Sequence, residues 1–422
     1  MVCGKENKLR TILHSDLNNF YASVETLKNP DLKDVPLAVC GSVEDRHGIV
    51  LAKNQLAKSF GVKTGEVLWE AKRKCKNLVT VTADHTSYSK ISKEVKKIYS
   101  RFTDKIEPFG IDECWLDVTD SVKNFGTGEE IAEKIRKLVK EEIGITVSVG
   151  VSFNKVFAKL GSDLKKPDAV TVIDKSNYKE KVWKLPAEDL LYVGKATKNK
   201  LNSIGIHTIG DIATTDEKVL TSLLGVWGST LHKFACGEDD SPVVDESEED
   251  GAKSIGNSLT DYKDLMNFED VKTLLLLLSE SVAARLRESG LGKACTVKIT
   301  VTDNSLKTYG KQMKLPYPTS SALDIAMASY DLFQSLYTWE RPVRGAGVSV
   351  CDFTLGKEQL SFDFDGGIRK KHDALENAVD GIRKKYGNNS VQRARILQDR
   401  KLAETDIKGE KGTLRKDLFE EN

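Results

Sequence analysis

The sequence is poor in cysteine and shows no arrangement that cysteine chemistry requires. Its seven cysteines, at positions 3, 40, 75, 114, 236, 295 and 351, are an odd number, widely separated and without a C-x-x-C pair. This pattern excludes a disulfide framework and a zinc cluster. It indicates a reducing compartment, and we expect a cytoplasmic protein.

Long apolar runs are also missing. The longest leucine run is Leu274–Leu278, which is far too short to cross a bilayer. The first residues, MVCGKENKLR, lack the apolar core of a secretory signal. We therefore expect a chain without a membrane partner.

Net charge is nearly absent, but it is unevenly distributed. The 64 Lys and Arg against 63 Asp and Glu give a formal charge of +1, which excludes only a uniformly basic protein. Residues 155–200 hold 11 lysines against 6 acidic residues, an electrostatic footprint typical of polyanion binding. Residues 238–250 hold eight carboxylates and no basic residue, which predicts a self-repelling linker, assigned to 241–251.

Strands and helices alternate in an order that predicts several domains. The chain has 422 residues, 39% of them hydrophobic, which is enough for more than one core. Before the linker, the apolar pattern predicts strands at 11–17 and 145–152, a hairpin at 105–118 and a helix capped by Asn154. After it, residues 252–353 predict the order β-α-β-β-α-β. The fold class is therefore α+β.

Three carboxylates attract attention as a possible metal site. Asp16 ends the first strand, where by itself it is more simply explained as a helix-capping residue. Asp112 and Glu113 lie inside the hairpin between Ile111 and Trp115, and burying adjacent carboxylates is costly unless a cation neutralises them. Brought together on adjacent strands, the three would suit Mg²⁺, which needs few carboxylates when substrate phosphates also bind it.

Four segments occur in the order of a known family. They are DLNNFYASVE from position 16, GIVLAKNQLAKSFGVKTG from 48, IDECWLDV from 111 and NKVFAKLGSDLKKP from 154. Together they resemble the Y-family translesion DNA polymerases across residues 14–167, and more loosely up to 353. The resemblance implies an error-prone, template-directed polymerase of DNA damage tolerance and repair, with primer-template DNA and deoxynucleoside triphosphates as partners.

The resemblance also implies a right-hand architecture. Its parts would be an antiparallel palm sheet (1–20 and 84–173), small fingers (21–83), a helical thumb with a helix-hairpin-helix (174–240), a β-α-β-β-α-β little finger (252–353) and a C-terminal tail (354–422).

At the centre of that hand, the resemblance implies two Mg²⁺ ions. Asp16 and Asp112 would bridge them, the backbone carbonyl of Leu17 would complete the nucleotide-side ion, and Glu113 would hold the ion that activates the primer 3′-hydroxyl. Tyr21 takes the position of the steric gate that collides with a ribose 2′-hydroxyl. An aromatic residue at a helix start is otherwise ordinary core.

Triphosphate contacts are implied for four further residues, namely Phe20, Gln55, Lys58 and Lys166. Many members of the family carry Tyr and Arg where this chain has Gln55 and Lys58, so bidentate phosphate binding is lost there. Ala52 stands where a hydroxyl residue is frequent. Nucleotide binding is therefore expected to differ in detail from those members.

DNA contacts are expected from two places. Lys155, Lys159 and Lys166 have spacings of four and seven, so one continuous helix would place them on one face, although such faces are most often merely solvated. Residues 187–212 resemble a helix-hairpin-helix, a motif that turns backbone N–H groups toward phosphates. The residues implied there are Gly194, Lys195 and Thr197.

The tail carries a short apolar cluster without an obvious core. Gln359, Leu360, Phe362 and Phe364 resemble the sliding-clamp-binding peptide of bacterial polymerases, and exposed apolar clusters often mark interfaces. Residues 366–386 predict an amphipathic basic helix, and residues 401–422 a frayed terminus. We expect a monomer with a sliding clamp as partner.

Two other functions compete with a polymerase. A nucleotide cyclase can use metal-binding carboxylates on a palm-type sheet, and a catalytically inactive DNA- or clamp-binding accessory protein would need none of them. All three carboxylates are present, which favours the enzyme. Within the family, Asn18, Lys58 and the long tail favour the polymerase V branch over the polymerase IV branch.

Overall fold

The computed structural model describes residues 10–41, 48–244, 252–355 and 366–405. The chain divides into two compact units, and the boundary between them in the sequence falls within the acidic run. The α+β prediction is confirmed in both units. Across these ranges, no helix combines the length and apolarity needed to cross a bilayer.

The first unit contains eight strands and twelve helices within its described residues. The strands are β1 (Ile12–Leu17), β2 (Leu37–Cys40), β3 (Val50–Lys53), β4 (Val79–Thr82), β5 (Ile106–Pro108), β6 (Glu113–Asp117), β7 (Val147–Ser152) and β8 (Val170–Ile173). The helices are α1 (Phe20–Lys28), α2 (Gln55–Ser59), α3 (Leu68–Lys74), α4 (His85–Tyr99), α5 (Val122–Phe125), α6 (Gly128–Leu138), α7 (Lys155–Leu164), α8 (Tyr178–Val182), α9 (Lys195–Asn202), α10 (Ile209–Thr214), α11 (Glu217–Leu224) and α12 (Val226–Ala235).

A five-stranded sheet with the order β5-β6-β1-β7-β8 forms the centre of this unit. Its strand pairs are antiparallel except β7 and β8. These two run parallel because α7 returns the chain to the end of the sheet at which β7 began. The predicted antiparallel sheet is therefore confirmed, with one parallel pair at this edge. A second sheet, β3-β2-β4, lies in residues 37–82.

Strand β1 is buried on both faces, and its side chains alternate between two environments. Leu13 and Leu17 join a large apolar core with α1, α4 and α6. Ile12 and His14 lie on the other face, where Ile12 packs against Ala158 of α7. Both faces are therefore covered by helices.

Helix α7 packs directly on strand β7 at a glycine. A Cβ atom added to Gly150 would lie 1.8 Å from the Ala158 carbonyl oxygen. Gly161 of α7 faces the same place, since its added Cβ would lie 3.0 Å from Gly150 Cα. Only the absence of both side chains lets the helix come this close to the sheet.

The first residues of the acidic run are packed, contrary to the expectation that the run cannot pack. Asp239 is buried and accepts hydrogen bonds from the Lys155 amide and Ser241. Val243 packs against Trp115, and the Val244 amide donates to Glu107. Neighbouring N–H donors compensate the charge of Asp239, so only the part beyond residue 244 remains assigned to a linker.

The second unit has the predicted β-α-β-β-α-β order. Its elements are β9 (Ser254–Leu265), α13 (Phe268–Ser289), β10 (Lys293–Asp303), β11 (Thr308–Thr319), α14 (Ala322–Leu336), β12 (Val343–Thr354), α15 (Gly366–Tyr386) and α16 (Arg400–Glu404). The sheet is antiparallel with the order β11-β10-β12-β9. Leucines of α13, among them Leu274, Leu275 and Leu278, fill its core.

The C-terminal tail is part of this unit up to residue 405. Glu280 of α13 is buried and accepts hydrogen bonds from Arg383 and Arg393 of the tail. Arg287, also on α13, forms ion pairs with the carboxylates of Glu376 and Asp380 of α15. Leu402 belongs to the apolar core, so the fraying predicted from residue 401 onward is wrong at this residue. The clamp-like residues 359–364 lie outside the described ranges.

Breaking one of these pairs should loosen the second unit. Arg383→Met leaves the buried Glu280 carboxylate with Arg393 alone. We therefore expect the free energy of opening, measured at the α13 amides, to fall by about 2 kcal/mol. Arg400→Met removes an exposed pair with Glu404 and should leave this free energy unchanged. Hydrogen exchange of the α13 amides in the full chain measures both. Equal protection in the two variants would contradict a structural role for the tail.

Candidate active site

Two strands bring the predicted carboxylates together. Asp16 near the end of β1 pairs in register with Glu113 at the start of β6, and the Leu17 amide donates to the Asp112 carbonyl over 3.0 Å. Asp16 does not cap the following helix, because the residue at that cap is Asn19. The simpler explanation of Asp16 is therefore wrong.

Each of the three lysines expected on one DNA-binding face pairs with a carboxylate instead. Lys155 Nζ lies 2.6 and 2.7 Å from the two oxygens of Glu107, and Lys159 contacts Glu113 Oε2. Lys166 Nζ lies 2.6 Å from Asp16 Oδ2. The prediction that Lys155 and Lys159 contact DNA stays a prediction, and in this structure both ammonium groups face the sheet and are mostly buried.

Lys166 is presented by a turn and not by the helix. Helix α7 ends at Leu164, two residues earlier. Asn18 holds this turn, since its Oδ1 accepts the Asp168 amide over 2.8 Å and its Nδ2 donates to Ser148 over 2.9 Å. Arg136 and Lys140 bind the Asp168 carboxylate from the other side. Asn18 is thus a structural residue of the site.

Burial and neighbouring charges together give the three carboxylates different pKa values. Burial, only partly opposed by Lys166, raises the pKa of Asp16 to about 7, and burial also raises the pKa of Asp112. Burial would raise the pKa of Glu113 too, but His14 and Lys159 lower it to about 2. Asp16 and Asp112 are therefore carboxylates whose charged forms gain from a further cation.

The chemistry of these donors fits magnesium, although the side chains do not form a ready-made cage. Within the described part of the chain, no three His, Cys, Asp or Glu side chains already converge on one point. Two of the three carboxylates are turned toward ammonium groups. Mg²⁺ prefers oxygen ligands and takes some of them from substrate phosphates, so a cage of protein atoms alone is not required.

Tyr21 lies beside this site with its ring fixed by aromatic neighbours. It stacks on Tyr88 of α4 at 4.1 Å between ring centres and 12° between planes, and it meets His85 edge-on. Tyr88 donates to Glu25 over 2.7 Å. Burial and the charge of the nearby Asp112 raise the pKa of Tyr21.

The implied triphosphate residues differ in their surroundings. The Phe20 side chain is buried in the core, so only its backbone is left for a nucleotide. Gln55 and Lys58 are exposed on the short helix α2. Lys53 lies close enough to Lys58 for that charge, together with burial, to lower the pKa of Lys53.

The predicted helix-hairpin-helix is present as α9 and α10. Gly194 stands at the N-cap of α9 with open space around it and no side-chain cap. Lys195 is exposed and Thr197 is half-buried in the first turn. The N–H groups of this turn therefore face outward.

Sequence reasoning missed His14 and Tyr88. His14 lies two residues before Asp16 on β1, so strand periodicity alone places both on one face. Its ring is fully buried and lies beside Glu113, and burial lowers the pKa of His14. Tyr88 belongs to α4, which is distant from Tyr21 in the sequence, and no sequence pattern indicates that the two rings stack.

Comparisons with known proteins agree with this geometry. The model of the impB/mucB/samB family matches residues 15–163, and the model of its C-terminal domain matches residues 252–362. A DNA polymerase IV from Acetivibrio thermocellus is 53% identical over 395 residues, 93% of this chain and 99% of that protein. A DNA polymerase IV 2 from Bacillus subtilis is 36% identical over 92% of this chain and 95% of its own length.

Solved structures point the same way. A Y-family DNA polymerase chimera of Dbh and Dpo4 matches with a TM-score of 0.73 and 26% identity, over 82% of this chain and all of that one. DinB from Sulfolobus solfataricus matches with a TM-score of 0.55, 28% identity and the same coverage. The chain belongs to the Y-family of DNA polymerases.

Membership of the Y-family decides between the earlier alternatives. Its members are metal-dependent nucleotidyltransferases, and neither a cyclase nor an inactive accessory protein is favoured by these relatives. The relatives are named DNA polymerase IV, which counts against the slight preference for the polymerase V branch, a choice that the sequence had left open. Asn18, on which that preference partly rested, has the structural role described above.

Proposed function

We propose that this Y-family polymerase adds deoxynucleotides to a primer 3′ end on a DNA template, in the error-prone copying of damaged DNA. The observation that carries the proposal is the meeting of Asp16, Asp112 and Glu113 at the ends of two paired strands. Its reaction would be phosphoryl transfer, which depends on positioning and charge neutralisation and needs no protein nucleophile.

The three carboxylates and the Leu17 carbonyl would hold two Mg²⁺ ions. Bound there, the ions would neutralise phosphate charge and favour the ionised primer hydroxyl. Asp16 and Asp112 would face both ions, and Glu113 the one on the primer side. The pKa of Asp16 near 7 supports this assignment, because a nearby cation favours its charged form.

Lys166 would change partners when nucleotide and metal bind. In the described structure its ammonium pairs with Asp16. A metal ion at Asp16 would repel this ammonium, which then becomes available for the triphosphate. Gln55 and Lys58 would reach the triphosphate from α2, and the Phe20 backbone would contribute one amide.

Tyr21 would exclude ribonucleotides. Its ring lies next to Asp112 and cannot swing easily, because Tyr88 stacks on it and is itself held by Glu25. A rigid ring rejects an additional hydroxyl more sharply than a mobile one. The gate would therefore depend on three side chains.

DNA would be held outside the catalytic sheet. The open N-terminus of α9 at Gly194, Lys195 and Thr197 would bind a backbone phosphate without reading sequence. In this assignment, residues 1–20 and 84–173 are the palm, 21–83 the fingers, 174–240 the thumb and 252–353 the little finger. We further propose that the enzyme is a cytoplasmic monomer that binds a sliding clamp through the tail, residues 354–422.

Removing one proposed metal ligand should abolish extension. Asp112→Asn keeps the shape but loses the charge, so primer extension with Mg²⁺ should fall by about 10³-fold or more. Asp120→Asn changes an exposed carboxylate paired with Lys105 and should leave the rate unchanged. Full extension by Asp112→Asn would overturn the metal assignment.

Sugar selection should follow the Tyr21 ring and not its hydroxyl. Tyr21→Ala should incorporate ribonucleotides far more readily, whereas Tyr21→Phe should keep the parent's discrimination. Single-nucleotide incorporation of matched ribo- and deoxynucleotides measures both ratios. Unchanged discrimination in Tyr21→Ala would remove the gate role.

Clamp binding should depend on the apolar residues of the tail. The double variant Leu360→Ala, Phe362→Ala should lose affinity for a sliding clamp while extending short primers normally, because neither residue belongs to the proposed catalytic site. Surface plasmon resonance with immobilised clamp measures the affinity. Retained binding by the double variant would exclude this peptide as the contact.

A further inference from the structure

His14 lies directly behind the proposed metal site and is fixed on several sides. In register it faces Trp115 on β6 and Gly150 on β7. The Trp115 ring meets the imidazole edge-on at 5.3 Å between centres, and the Trp115 indole N–H is itself bound to the Lys155 carbonyl. Packing therefore sets the direction of both ring nitrogens.

The two nitrogens of His14 have different neighbours. Nδ1 lies 2.8 Å from Ser162 Oγ, and Nε2 lies 3.2 Å from Glu113 Oε2. In the described residues Nε2 makes no hydrogen bond, so its approach to Glu113 Oε2 is a contact at hydrogen-bond distance without the required alignment. A neutral imidazole carries one proton, so it donates to Glu113 only when Nδ1 accepts from the Ser162 hydroxyl.

Ser162 can select between the two forms of the ring. Its hydroxyl has one hydrogen and two acceptors within reach, His14 Nδ1 and the Lys159 carbonyl at 2.7 Å. When the hydrogen turns to Nδ1, the ring proton sits on Nε2 and faces the carboxylate. The orientation of one buried hydroxyl thus decides whether Glu113 is held.

We propose that His14 is a positioning residue for Glu113, with its Nε2–H holding Glu113 Oε2 and the Ser162 hydroxyl fixing the tautomer. The inference rests on the proposed function, because it matters only if Glu113 binds a metal ion. Both His14 and Lys159 contact Oε2 and neither is bound to Oε1. A charged lysine is repelled by an arriving metal ion, whereas a neutral imidazole remains in place.

The test measures metal binding without turnover. The full chain is mixed with a primer-template that ends in a 3′-dideoxynucleotide and with the matching deoxynucleoside triphosphate, and free Mn²⁺ is followed by electron paramagnetic resonance. His14→Phe should raise the Kd of the weaker Mn²⁺ ion by about 10- to 100-fold, the usual effect of losing an outer-shell partner. His14→Gln, whose amide can donate, should stay within about threefold of the parent.

Two further variants separate a role of His14 in positioning Glu113 from a role in packing alone. Ser162→Ala leaves the ring in place but removes the donor to Nδ1, so it should weaken Mn²⁺ binding in the same direction even if His14→Phe fails to fold. His207→Gln changes an imidazole that lies in the hairpin after α9, and it should bind Mn²⁺ like the parent.

The possible results distinguish this inference from the proposed function. Unchanged Mn²⁺ affinity in Ser162→Ala and in folded His14→Phe, with a loss in Asp112→Asn, would overturn the role of His14 alone. Equal losses in His14→Gln and His14→Phe would also overturn it, because ring shape and not the donor would then matter. Unchanged affinity in Asp112→Asn would refute the metal site itself.

Discussion

Three lysine–carboxylate pairs between one helical segment and the central sheet determine the geometry of this active site. Lys155, Lys159 and Lys166 meet Glu107, Glu113 and Asp16, which belong to three neighbouring strands. A mostly buried carboxylate is costly without a cation, so the pairs of Lys155 and Lys159 oppose separation of α7 from the sheet, and the pair of Lys166 fixes the turn after α7. The acidic residues and the helix that covers them are therefore positioned together.

The three acidic side chains differ in how their charge is compensated. Two of the three proposed metal ligands have an ammonium partner, and the third, Asp112, has its pKa raised by burial. In the proposed function the carboxylates would hold divalent ions, and the lysines would then be available for the phosphates of a triphosphate. The charge of the pocket would then change little during nucleotide binding, although its partners change.

Much of this arrangement could be predicted from sequence, and the remainder depends on distances that sequence does not contain. The β-α-β-β-α-β unit follows from apolar periodicity, and the meeting of Asp16 with Glu113 follows from the ordered motifs. The spacing of the lysines correctly placed Lys155 and Lys159 on one helical face, but spacing cannot tell whether a face looks at solvent or at a sheet. The role of Asp239 was missed for a similar reason, because one of its N–H donors, the Lys155 amide, is distant in the chain.

The contact between Gly150 and α7 gives the site a mechanical property. A single methyl group at Gly150 would push against the Ala158 carbonyl, and the helix would have to rise from the sheet. Lys155 and Lys159 belong to α7, and Lys166 lies in the turn directly after it. An outward shift of the helix would therefore lengthen all three ion pairs at once. A purely steric change at a glycine would therefore be transmitted to the active site as a change in electric field.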